Sequence, residues 1–108
     1  MSENGIWAIA RNISKISNCK DRQVGCVIFN KNTQLVVGIG YNTHLNEICD
    51  CDTTKTAQHA EVMAIKNLEG ENLKEDLIAY VDHKPCCGCA SALDAVVFEV
   101  RYRSQKYS

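Results

Sequence analysis

The chain has 108 residues, 45% of them apolar, with 12 basic and 13 acidic side chains and a net charge of −1. That length fits one compact domain with a modest core, because small domains bury a smaller share of their surface. Near-balanced charge argues against nonspecific nucleic-acid binding, which draws on a dense positive surface, and no apolar run approaches the ~20 residues of a membrane span.

Ile6, Ile9, Ile13 and Ile16 recur at spacings of three and four, which predicts an amphipathic first helix capped by Ser2 or Asn4 and ended by Ser17-Asn18. Val24 to Phe29 is β-branched and apolar and reads as a strand; Lys31-Asn32-Thr33 is a polar turn; Leu35 to Ile39 completes a hairpin. Tyr41 to Thr56 reads as a polar loop long enough to suggest function. Ala57 to Leu68 then reads as a helix with Val62, Ile65 and Leu68 on one face and Thr56 as its cap. After a polar connection come a third strand from Leu77 to Val81, a short helix from Cys87 to Ala95 and a fourth strand from Val97 to Tyr102. The order α-β-β-α-β-α-β, alternating after the hairpin, favours a partly parallel three-layer α/β sheet.

Seven cysteines in so short a chain call for an explanation. Their odd number argues against a disulfide scaffold. So does the N-terminus, Met1-Ser2-Glu3-Asn4, which lacks the layout of a secretory signal. Clustered thiols in a reducing compartment read as metal ligands, and a cytoplasmic location is expected.

Two stretches sit where helices are predicted to begin: His59-Ala60-Glu61 and Pro85-Cys86-Cys87-Gly88-Cys89. Cys86 and Cys89, three apart at a helix start, can point at one metal, and His59 from the other helix would be the third ligand. Two thiolates and a neutral imidazole balance Zn2+, and three protein ligands leave a fourth position for water, whose pKa zinc lowers to about 7. Glu61 is roughly 200° around a regular helix from His59, so the pair can meet only in the space beyond the helix end. There the carboxylate would move a proton from that water to the substrate.

Each piece alone has a duller reading. His59 could be a cap, Glu61 first-turn charge, and the cysteine pair a redox couple or half of a structural zinc site. Their conjunction, H-x-E followed by P-C-x-x-C, is the zinc deaminase signature. Cys87 is the spare thiol in that register. Cys19, His44, Cys49, Cys51 and His83 read as unpaired thiols and surface histidines, with a second zinc site as the alternative.

On these motifs the sequence resembles the cytidine deaminase-like superfamily, and within it the deoxycytidylate deaminases. Cys19 to Ile28 is similar to the family's first strand and its approach, and Gly38-Ile39-Gly40-Tyr41-Asn42 to the end of its second strand. Val100 to Tyr107 is similar to the fourth strand and following tyrosine. The resemblance implies a single deaminase domain over residues 1–108 with a three-layer α/β/α fold. Its mixed sheet would have an N-terminal hairpin and be truncated after the fourth strand.

It also implies one catalytic zinc and hydrolysis of a cytosine nucleotide, dCMP to dUMP with release of ammonia. Glu61 would bond the ring N3, the Ala60 N–H would hold the O2 carbonyl, and Asn42 would contact a sugar hydroxyl. Lys20 and Arg22 are the candidates for a 5′-phosphate.

Gln58 stands where this family often has a cysteine or an apolar residue, and the Tyr41–Thr56 loop is short for nucleotide-regulated members. An open edge at the fourth strand would favour covering by another copy, hence a homo-oligomer. Two other readings share the motifs. One is a deaminase acting on adenosine or cytidine in tRNA or another nucleic acid, against which the near-neutral charge counts. The other is a catalytically silent zinc-binding regulatory or assembly protein, against which Glu61 counts.

Overall fold

A computed structural model describes residues 2–17, 23–44, 57–83, 85 and 87–103. Helix α1 spans Glu3–Ser14, with Ser2 rather than Asn4 as its cap: the Ser2 hydroxyl accepts the Gly5 N–H at 3.2 Å. Ile6, Trp7, Ala10 and Ile13 are buried. Ile16 falls two residues past the helix end and is 59% exposed, so it drops out of the expected stripe.

Strand β1 (Gly25–Asn30) and β2 (Leu35–Tyr41) form the expected antiparallel hairpin. Its turn is built by Asn30, whose buried side-chain oxygen accepts the N–H groups of Asn32 and Thr33 at 2.9 and 3.0 Å. Gln34 takes the left-handed conformation that closes it, at φ 62°. The register slips between Ile28 and Phe29, so Val37 is an extra residue on β2. That bulge resets the alternation of side chains along β2: Val36 packs with α1, while Val37 packs on the opposite face.

Two short strands follow, β3 (Thr43–His44) and β4 (Ala57–Gln58), paired antiparallel. They correct two expectations. The stretch after Tyr41 is not wholly loop, and Ala57 and Gln58 are extended rather than helical. Helix α2 is therefore shorter, Ala60–Lys66, and its cap is His59, not Thr56, which lies outside the described residues. A 3-10 turn at Lys74–Asp76 leads into β5 (Leu77–Val81), then α3 (Cys87–Val96) and β6 (Glu99–Tyr102). Val97 and Phe98 precede β6 rather than starting it.

The main sheet has the order β2-β1-β5-β6, antiparallel except for the β5–β6 pair. Side-chain parity divides the core in two. Val27, Phe29, Ile78 and Tyr80 face α1 and meet Ile6, Trp7, Ala10 and Ile13. Cys26, Ile28, Leu77, Ala79 and Val81 face the other way, onto Ala60 and Ala64 of α2 and Leu93 of α3. This is a three-layer α/β/α arrangement around a mixed sheet. β1 and β5 are buried on both faces, which is why they read as unbroken apolar runs.

Candidate active site

α2 rests on β2 through glycines. A Cβ on Gly40 would lie 2.1 Å from the Ala60 carbonyl oxygen, and one on Gly38 would lie 2.7 Å from that of Ala64. The helix therefore packs through small residues, Ala60 and Ala64, with Ile65 and Leu68 half-buried beside them. Of the expected Val62–Ile65–Leu68 face, Ile65 and Leu68 pack against this core, while Val62 is not part of it and the closest approach is made by the alanines. The close approach brings the first turn of α2 over the ends of β1 and β2. His59 precedes that turn in extended conformation, φ −76° and ψ 146°, and its imidazole makes no capping bond. Glu61, one residue into the helix, is 3% exposed.

Cys89, near the start of α3, is 4% exposed. The ligand atoms of His59, Glu61 and Cys89 all lie within 4.8 Å of one another. Because His59 lies outside the helix, the helical angle that would separate it from Glu61 does not apply, and both side chains converge. Among the described residues this is the one cluster of its kind. Donors bound to a single zinc ion at about 2.0–2.3 Å must sit within about 4 Å of each other. The 4.8 Å bound on the three groups is slightly wider than that, and an imidazole nitrogen and a thiolate are donor types that zinc takes, with the carboxylate alongside.

Of the other residues singled out from the sequence, Cys86, Lys20 and Arg22 lie outside the described residues, as do Cys19, Cys49 and Cys51. Ala60 is buried at the start of α2. Asn42 follows β2, and its side-chain oxygen accepts the Val24 N–H at 2.8 Å, while its own N–H donates to the Val24 carbonyl at 3.2 Å. It thus ties the end of β2 to the approach of β1.

Two residues close to the cluster were not singled out from the sequence. Cys26, on β1, is fully buried; burial pushes its thiol well up, and the carboxylates of Glu61 and Asp82 push the same way. Cys26 is thus a neutral core thiol at neutral pH. Asp82, the residue after β5, is 2% exposed and accepts the Gly25 N–H at 2.7 Å. Burial raises its carboxyl above the usual aspartate range, and the bonds from Gly25 and the Ser14 hydroxyl pull it back only in part. Cys26 could have been found from its neighbours in an apolar strand. Asp82 could not, because an aspartate at a strand end reads as an ordinary turn residue.

The family model for the cytidine and deoxycytidylate deaminase zinc-binding region matches residues 3–101. No curated protein sequence matches the chain. Solved structures do. The dCMP deaminase from cyanophage S-TIM5 in apo form superposes with a TM-score of 0.77 at 24% identity, covering 96% of this chain and 86% of that one. The same enzyme in complex with dCMP and dUMP gives 0.75 at 23% identity, covering 98% and 85%. Acinetobacter baumannii RibD, form 1, gives 0.62 at 28% identity over 88% of this chain, which spans only 26% of that one. The structural likeness carries the fold, and the sequence match over nearly the whole length carries the family: this chain belongs to the cytidine and deoxycytidylate deaminases that share a zinc-binding region.

Proposed function

We propose that the chain catalyses zinc-dependent hydrolytic deamination of a cytosine nucleotide, dCMP to dUMP with release of ammonia. The observation that carries this reading is the convergence of His59, Glu61 and Cys89 within 4.8 Å at the starts of α2 and α3. A purely structural zinc site has no use for a buried glutamate beside its ligands. The cyanophage enzyme of similar fold, described in complex with dCMP and dUMP, supports the choice of nucleotide.

His59 and Cys89, with Cys86, would hold the ion. When bound, zinc supplies Lewis acidity and brings water towards ionisation near neutral pH. Glu61 accepts one proton of the attacking water and delivers it to N3 of the ring. The water oxygen bonds to C4, the C4–amino bond breaks, and the remaining water proton leaves with the departing ammonia. The Ala60 N–H, in the first turn where helical donors lack intrahelical partners, holds the O2 carbonyl. Asn42, whose side-chain oxygen accepts the Val24 N–H, would contact the sugar hydroxyl. Lys20 and Arg22 would bind the 5′-phosphate.

Assembly with further copies belongs to the same reading. β6 is one edge of the described sheet, and Phe98 just before it and Tyr102 at its end are 66% and 48% exposed. A panel of cytosine and adenine nucleosides and nucleotides, assayed for ammonia release with zinc content measured alongside, tests the whole reading. Fastest turnover is expected with dCMP. Full zinc loading with no turnover on any substrate would overturn it in favour of a binding protein.

A further inference from the structure

The segment that carries Pro85 to Cys89 leaves the sheet at the end of β5, so the position of Cys89 relative to His59 and Glu61 depends on how that turn is rooted. Its first residue, Asp82, is buried and doubly bonded to the first residue of β1. The Asp82 side chain accepts the Gly25 N–H at 2.7 Å, and the Asp82 N–H donates to the Gly25 carbonyl at 3.1 Å. Gly25 in turn touches α1: a Cβ there would lie 2.1 Å from the Ala10 carbonyl oxygen and 2.9 Å from the Ser14 nitrogen. The next residue is Cys26, whose thiol feels the Glu61 carboxylate. Asp82 is thus a joint where the β5–α3 turn, β1 and the end of α1 meet.

A buried acidic side chain costs stability unless its bonds matter. Other polar residues could end a strand here without that cost. We propose that Asp82 is a positioning residue for the metal site: its carboxyl clamps the root of the cysteine-bearing turn onto Gly25 and so sets the spacing between Cys89 and the His59–Glu61 pair. The inference rests on the proposed zinc site. Outer groups that orient metal ligands typically change affinity 10–100-fold when removed.

The test is zinc affinity by chelator competition on the full chain, with thermal stability, kcat and KM measured alongside. Asp82→Ala should weaken zinc binding about 10–100-fold. Asp82→Asn, which keeps an oxygen acceptor for the Gly25 N–H, should stay within about threefold of wild type on the same scale. Ile6→Ala, cut from the α1-facing core, should lose stability yet hold zinc as wild type does. Should Asp82→Ala fail to fold, Asp82→Val, branched and without an acceptor, should show the same loss of affinity. Wild-type affinity in the variant lacking the acceptor, or an equal loss in Ile6→Ala, overturns the inference. A wild-type chain that takes up no zinc overturns the proposed function instead, so the two failures are told apart.

Discussion

Glu61 is an ionisable side chain with almost no exposure, close enough to the buried Cys26 thiol to raise its pKa. Burial of that kind is costly for stability alone, which points to chemistry. Glu61→Gln preserves size and removes the proton carrier. Turnover is expected to fall about 10²–10⁴-fold, the usual worth of a positioned acid-base group. Zinc content and melting temperature should stay near wild type, as metal analysis and calorimetry would show. Cys89→Ser should instead lose both metal and stability, because metal binding and folding are coupled.

Asp82 makes a prediction about pH. Its native pKa is raised by burial, so between the ordinary value near 3.9 and the raised one the folded chain holds a proton that the unfolded chain has released. Stability from this group is therefore full below the ordinary value and is lost as pH rises through the raised one. Asp82→Asn should remove that slope, making the variant less pH-sensitive than wild type as pH rises above the ordinary aspartate value. Urea melts at a series of pH values above it would check this, and an unchanged slope would assign the pH dependence elsewhere.

At the scale of elements, the site depends on how closely α2 lies on β2. Gly40→Val would place a branched side chain where even a Cβ would come within 2.1 Å of the Ala60 carbonyl. The helix would have to lift, at a cost of about 1–3 kcal/mol or more. Because His59 and Glu61 ride on that turn, zinc affinity should fall with stability, measurable by the same chelator competition.

How far the elements were legible differs along the chain. β1 and β5 were legible because strands buried on both faces leave unbroken apolar runs. The start of α2 was not: Ala57 and Gln58 carry no local signal against a helix, and their extended form depends on pairing with Thr43 and His44, far off in sequence. The packing face of α2 was legible only in part, through Ile65 and Leu68, for a related reason. Large apolar residues draw the eye, yet the nearest approach to the β2 glycines is made by the backbone at Ala60 and Ala64.

For the whole molecule, the two cores on either side of the sheet differ in what they support. Leu93 is fully buried between α3 and the sheet. Leu93→Ala should cost about 2–5 kcal/mol and loosen α3, with it Cys89, so zinc affinity should drop as well. Denaturant melts with and without zinc would separate the two effects. Phe98, by contrast, is 66% exposed just before the edge strand β6. Phe98→Glu should leave monomer stability within about 0.5 kcal/mol and shift any oligomer towards monomer in sedimentation. An unchanged distribution would place assembly on another surface.

The sequence by itself determined the layered α/β class, pointed to the family, and singled out His59, Glu61 and Cys89, which the fold brings together. These follow from local periodicity and from motifs whose spacing is itself the chemistry. Tertiary structure alone decided that His59 stands outside its helix, so that it and Glu61 reach the same space. It also decided that glycines set the height of α2, and that Asp82 joins the cysteine-bearing turn to β1. Each of these depends on segments distant in the chain meeting at contact distance, which no local pattern of residues encodes.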